Sequence, residues 1–564
     1  MRIKKIFTNL FGGRRGEIYP DEIFLDSSNL PDFNKDQFEG RIERPFSRIV
    51  PYLTLTFFII IVLLFTGKVW SLQVTSGDEL AKRSLQNRLS HTSIFSERGS
   101  ILDRNGVILA TNIPAKEGAE FSQRKYIDID GLGHILGYLR YPQKDKNGNY
   151  YQTEFIGLDG VEKTYNEYLT GKNGLRIIET NAIGNIASES VIEPPKNGEN
   201  LVLSIDSEVQ NKLFEEIKKL SISSGYSGGA GAIMDISTGK LLSLVSYPEY
   251  DSQILTDASS KEIINTYLND KRNVYLNRAI SGLYTPGSVM KLFLAMGVLK
   301  EGIIDPYKKI LSTGSIVVPN PYVPNTGTTF RDWKPLGWVD MRDALSFSSN
   351  IYFFHVGGGF DGQKGIGIDN ITKYIKMFGF GSKTGIKLPA EADGVVPDPE
   401  WKKKNFNGDN WRIGDTFLTA IGQYGSQATL LQILRGTTAI VSDGKLFTPK
   451  INQNEEPEYT QLDFDSGYYK IVKEGMYRAV YEGGTAHNFS ALPFKIAAKS
   501  GTAELGVTKE NINSWITGFF PYDNPKYAFT VMMEKGSKTN TIGSLFVANE
   551  LFLWMDEKHP EYTR

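Results

Sequence analysis

Ser288 and Lys291 stand three residues apart in Tyr284-Thr285-Pro286-Gly287-Ser288-Val289-Met290-Lys291-Leu292-Phe293-Leu294-Ala295-Met296-Gly297-Val298-Leu299. Pro286-Gly287 predicts a turn, and the run after it predicts a helix that is apolar on nearly every side and therefore buried. A spacing of three places both polar side chains on one helix face, within reach of each other. An ammonium among Val289, Met290 and Leu292 is costly to keep charged, so Lys291 is expected to titrate low. A neutral amine can take the Ser288 proton, and a helix N-terminus favours the negative charge that develops. The chemistry on offer is an activated serine. Spacing alone is weak support, because about two Ser-x-x-Lys patterns arise by chance in a chain of this length and ordinary composition. Ser237-Thr238-Gly239-Lys240 is such a second instance, and it reads as an exposed hairpin turn.

Two further groupings follow along the chain. Ser346-Phe347-Ser348-Ser349-Asn350 lies where the helical stretch Met341 to Leu345 gives way to Ile351-Tyr352-Phe353-Phe354. Ser348 and Asn350, two apart, suit a loop pointing both side chains into one cavity; alone, the pattern reads equally as an N-cap. Ala497-Ala498-Lys499-Ser500-Gly501-Thr502-Ala503-Glu504 reads as a strand on which Lys499 and Gly501 share a face. Gly501 there allows close approach to the backbone, and an exposed edge strand with a solubilising lysine is the plainer alternative. All three patterns in this order are much harder to obtain by chance than any one.

The elements that must position these residues are an early pair of strands, Ala230 to Asp235 and Leu241 to Val245, and three late ones. The late strands are Phe494 to Thr502, Trp515 to Phe520 and Tyr527 to Glu534, with helices between the two sets and a closing helix from Ser544 to Met555. This predicts an α+β domain with one antiparallel five-stranded sheet split in sequence and flanked by helices. No strand is expected between the two sets. Leu201 to Ile205 is read as a strand before a helix capped by Asp206. Upstream, Arg98 to Ala110 carries an Asn105-Gly106 hairpin signal, and Gly157 to Tyr165 leads into a short helix ending near Gly171. Neither cluster pairs a nucleophile with a base, so this region reads as structural.

From Ile49 to Gly67 there is no charge, and as a helix the stretch spans about 28 Å at ~1.5 Å per residue, enough to cross a bilayer. Lys and Arg crowd the residues before it, which predicts a cytoplasmic N-terminus. The expected organisation is a cytoplasmic tail (1–48), a transmembrane anchor (49–69), an extracytoplasmic region (70–198) and a catalytic domain (199–564). The formal net charge of −1 gives no electrostatic ground for nucleic-acid binding. With no cysteine and five scattered histidines, neither a thiolate site nor a His-x-x-x-His metal site is available. No metal or other cofactor is expected.

With its three motifs in order, the chain resembles the penicilloyl-serine transferases, the superfamily of penicillin-binding proteins and serine β-lactamases. Arg98 to Ala110 and Gly157 to Tyr165 look like the pedestal, or dimerisation, signatures of class B penicillin-binding proteins. Phe330-Arg331-Asp332-Trp333-Lys334, Gly414-Asp415-Thr416, Gly422-Gln423, Gly484-Thr485-Ala486-His487 and Lys499-Ser500-Gly501 look like the elongation type. The division type is the alternative, and it usually shows Lys-Thr-Gly-Thr at the last motif. Some elongation-type relatives hold a metal beside the Ser-x-Asn loop, but no His or Cys lies between Leu292 and Phe347 here.

The resemblance implies a peptidoglycan D,D-transpeptidase that β-lactams acylate. In it Ser288 is the nucleophile and Lys291 the base. Ser348 and Asn350 relay the proton and orient Lys291, while Lys499, Ser500, Gly501 and Thr502 form the strand that binds the substrate carboxylate. It also implies peptidoglycan stem peptides as substrates and a SEDS-family glycan polymerase with other rod-complex proteins as partners. The stretch 317–321, apolar and Pro-rich, is a candidate rim of the acceptor side. A β-lactamase would need a base for deacylating water and no pedestal, and a penicillin-sensing receptor would carry several membrane spans.

Overall fold

An uncharged apolar run buries no preferred face, and residues from Ile49 onward behave accordingly. In the computed structural model of the chain, Ile49–Trp70 is a 22-residue helix (α1) with no buried residue. A π-helical turn, Ser71–Thr75, continues it, and the combined helix of 27 residues is long and apolar enough to cross a membrane. The structure describes residues 47, 49–114, 120–180, 186–320, 323, 326–506 and 508–564. Most of the basic tail (1–46 and 48) and Pro321 lie outside the described residues. Two units result, one ending at Arg88 and one running Leu89–Arg564.

In the second unit the two upstream clusters meet around a buried carboxylate. Arg98 Nε donates to Glu162 at 2.6 Å and Arg124 Nε at 2.8 Å, with all three side chains nearly without exposure. Burial alone would raise the Glu162 carboxyl, but Arg124 and Arg98 hold it below its ordinary value. Asn105-Gly106 turns between Ile101–Leu102 and Ile108–Ile113 as the hairpin signal predicts. Leu201–Val202 then pairs in parallel with Ile101–Leu102; the expected strand to Ile205 is thus shortened, since Ser204 donates its N–H to Ile451 instead. Asp206 caps helix Ser207–Ser224 (α2), accepting from the N–H groups of Glu208 and Val209. Asp103 and Asn105 reach the same point, bonding Ser207 and Asp206.

The central sheet has the split order expected from the sequence. Its strands are Gly228–Asp235 (β1), Leu241–Tyr247 (β2), Ala497–Leu505 (β3), Asn511–Phe520 (β4) and Tyr527–Ser537 (β5), in spatial order β2-β1-β5-β4-β3. All neighbours are antiparallel. Alternation along the strands feeds two cores. Ala230, Ala232, Met234 and Met532 face the cluster that holds the helix preceding Lys300, whereas Ile233, Val531 and Met533 face α2.

The helices that frame the site and the sheet include Lys291–Lys300 (α3), Met341–Ser346 (α4), Asn350–Gly358 (α5), Leu430–Val441 (α6), Ser466–Tyr481 (α7) and Ser544–Lys558 (α8). α6 packs on one face of the sheet, and α2 and α8 on the other. Three small two-stranded pairings stand between the early and late strands, contrary to the expectation of none. They pair Ile310–Ser312 with Gly337–Val339, Ser315–Pro319 with Gly327–Arg331, and Lys445–Phe447 with Tyr459–Gln461. The stretch at 317–319, for which no strand was expected, is strand. Its runs of three to five residues are too short to show a period, and only pairing partners distant in sequence define them.

Candidate active site

Gly287 adopts φ +59, and a Cβ there would lie 2.9 Å from the Thr502 carbonyl oxygen. Only glycine fits that turn. Its N–H donates to Gly422 O at 3.0 Å, and Trp515 Nε1 donates to Thr285 O at 3.1 Å, so β4 and a loop fix the entry to the helix. Ser288 then sits in a 3-10 turn, Gly287–Met290, that runs directly into α3. Every residue from Val289 to Leu299 is buried, which is why the run shows no polar face.

Lys291 has no exposed surface. Its Nζ donates to the Ser348 carbonyl and to Asn350 Oδ1, both at 2.7 Å, with Ser348 Oγ 3.4 Å away. The amine is thus engaged with the Ser-x-Asn turn rather than with Ser288, as helix spacing alone had suggested. Burial lowers its pKa to about 7, and the Asp332 carboxylate opposes that shift. Two N–H donors on two oxygens leave a neutral amine one lone pair, which is what a base requires.

Ser348 lies between α4 and α5 with φ +59, a left-handed conformation that a serine holds only when its surroundings fix it. Ser349 caps α5 by accepting from Tyr352 N–H, so the N-cap reading of this stretch and the cavity reading are both correct, at neighbouring residues. Gly484–His487 backs the turn: Thr485 N–H donates to Ser346 O at 3.1 Å.

β3 is the sheet edge beside the serine turn, and a Cβ on Gly501 would lie 3.0 Å from Val289 Cγ1 and 3.3 Å from Pro286 O. What approaches this backbone closely is therefore the nucleophile's own turn. Lys499 shares that face. Its side chain is fully buried and its Nζ donates to Ser500 O at 2.7 Å. Burial, then repulsion from Lys291, holds its pKa well below the ordinary lysine value. Strand alternation gives the face of a residue but not what covers that face.

Ser288, Ser348, Asn350, Ser500, Gly501 and Thr502 all line one cavity of about 1380 Å³, with Lys291 and Lys499 buried behind its wall. Ser237, the decoy, is exposed on the β1–β2 turn, where its Oγ bonds Asp235 at 2.6 Å. The residues missed by sequence reasoning are Asp332, Trp333 and Trp515. The first two lie in a segment recognised only by resemblance, and Trp515 looks like any core aromatic. Among the described residues no group of His, Cys, Asp or Glu could hold a metal.

A cavity-lining serine one turn before a buried lysine, a Ser-x-Asn turn that holds the lysine amine and a Lys-x-Gly edge strand define a serine acyltransferase site on an α+β sheet. The penicillin-binding protein transpeptidase domain matches residues 229–552 and the penicillin-binding protein dimerisation domain residues 117–203. The chain belongs to the penicillin-binding proteins, and within them to the class B, elongation type. It is 30% identical to the peptidoglycan D,D-transpeptidase MrdA of Haemophilus influenzae over 485 residues, covering 79% of this chain and 72% of that one. With the Escherichia coli K12 protein of the same name it is 28% identical, covering 86% and 91%. Among solved structures it is similar to Helicobacter pylori PBP2 in a complex with MreC, at 28% identity and TM-score 0.69 over 84% of this chain and 99% of that one. Pseudomonas aeruginosa PBP2 in complex with WCK 5153 gives 27% identity and TM-score 0.68, covering 84% and 98%.

Proposed function

We propose that this protein cross-links peptidoglycan stem peptides during cell-wall elongation, through an acyl-enzyme on Ser288. The observation that carries the reading is the fully buried Lys291 amine, held on Ser348 and Asn350 in the wall of the cavity that Ser288 enters. Ser288 Oγ attacks the penultimate D-Ala carbonyl as its proton passes to Lys291 Nζ. The backbone N–H groups of Ser288 and Thr502 receive the oxyanion. The tetrahedral adduct collapses, the C–N bond breaks, and the departing D-Ala amine takes a proton relayed through Ser348. An amine of a second stem then attacks the Ser288 ester, loses its proton to the same base, and leaves as the new amide while Ser288 regains its hydrogen.

Ser500 and Thr502, which face the cavity, bind the substrate's terminal carboxylate by hydroxyl donation. Lys499 supports them from behind by fixing the strand through its bond to Ser500 O. Residues 1–48 form a cytoplasmic tail, 49–69 the single membrane anchor, 70–198 the pedestal and 199–564 the transpeptidase domain, with everything past the anchor outside. A SEDS-family glycan polymerase and rod-complex proteins are its partners; the MreC complex of the Helicobacter pylori relative supports this. A fluorescent penicillin should label the protein in membranes, and depleting it should round rod-shaped cells while septation continues. Unlabelled protein would sink the enzymatic reading, and filaments with blocked septa would assign it to division.

A further inference from the structure

We infer that Asp332 is a positioning residue for acylation: its carboxylate holds the Ser348–Asn350 turn against α3 and is the counter-charge to Lys291. The inference rests on the roles proposed above for Ser288 and Lys291.

Asp332 follows the strand Gly327–Arg331, and its own N–H donates to Gly314 O at 2.9 Å, which fixes its backbone to the small strand pairings. Oδ2 accepts from Ser349 Oγ at 2.9 Å, from Ile351 N–H at 3.1 Å and from Ser312 Oγ at 3.3 Å. Oδ1 accepts from Trp333 N–H at 3.0 Å. The Ile351 N–H belongs to the first turn of α5, where helix donors lack partners and a carboxylate is stabilised. The residues on either side of Asp332 complete the clamp. Asn350 Nδ2 donates to Arg331 O at 3.2 Å, and Trp333 Nε1 donates to Phe347 O at 3.0 Å. Ser348 is therefore held from the residues before and after it.

That restraint has a purpose at Ser348. A non-glycine residue at φ +59 is strained and persists only where its neighbours impose it. In this conformation the Ser348 carbonyl meets Lys291 Nζ at 2.7 Å. Without the clamp the turn can relax, and the base loses two of its orienting contacts together.

The electrostatic part concerns the state after proton transfer, when Lys291 is an ammonium in a site without exposure. The carboxylate acting on it is Asp332, beside α5. Burial disfavours the ammonium and Asp332 favours it, so Asp332 stabilises the charge that forms as Ser288 attacks.

The test is the acylation rate of the full-length protein by a fluorescent penicillin, followed across pH for wild type, Asp332→Asn and Asp332→Glu. Asp332→Asn should fold, as judged by thermal melting, and acylate roughly 10²-fold more slowly on its plateau, the scale of a misplaced catalytic group. Its acidic limb should move to lower pH, because removing the carboxylate removes what opposes burial at Lys291. Asp332→Glu, which keeps the charge, should hold the wild-type limb. A merely structural role would slow the reaction without moving the limb, so an unmoved limb in Asp332→Asn overturns the inference, as does an unchanged plateau. Wild-type acylation by Lys291→Met would instead remove the underlying reading, whatever the Asp332 variants do.

Discussion

Lys291 is where most of the chemistry and most of the cost of this site coincide. Its pKa near 7, set first by burial, has a definite consequence. The unprotonated amine is the base, so acylation should rise with pH through about 7 and level off above it; a stopped-flow rate profile that falls over this range would contradict the assignment. Lys291→Met keeps similar volume and removes the amine, and should reduce the acylation rate by roughly 10²–10⁴-fold while the protein still melts cooperatively. Four of the participants, Ser288, Lys291, Ser348 and Asn350, were legible as spacing patterns because each pair is local. Asp332 was not, because its work is done on Ser349 and Ile351, which no period or motif connects to it. Lys499 was legible as sharing a strand face with Gly501, but strand alternation did not show that its side chain is fully buried.

At the scale of elements, the site depends on how closely β3 approaches the serine turn. The five strands of the sheet were readable from apolar runs bounded by turns, and Gly501 could be recognised as a point of close approach, though not what approached it. Gly501→Ala would bring a methyl group to 3.0 Å from Val289 Cγ1 and 3.2 Å from Val289 N. Overpacking of this kind costs about 1–3 kcal/mol and must displace either the strand or the nucleophile. We expect a modest fall in melting temperature and a much larger loss of acylation, measured on the same preparation. Equal, wild-type-like acylation would mean that the turn and the strand are not coupled. The strand pairings between 310 and 339 escaped sequence reading because their strands are short and half exposed, although they carry Asp332 into place.

At the scale of the molecule, an N-terminal apolar helix precedes in sequence a site that acts on cell-wall peptide. The helix was readable from the absence of charge, and the basic residues before it set the expected orientation. Protease added to spheroplasts should degrade the residues after Trp70 and spare the tail, which an epitope at each end would report; a protected C-terminal domain would reverse the topology. The central claim is that Ser288, and not Ser237, carries the acyl group. Mass spectrometry of the penicillin-treated protein, intact over hours and then as peptides, tests it most directly. One adduct is expected, on the peptide containing Ser288, persisting for hours and absent from Ser288→Ala but present in Ser237→Ala. An adduct on Ser237, or rapid release of hydrolysed penicillin, would contradict it.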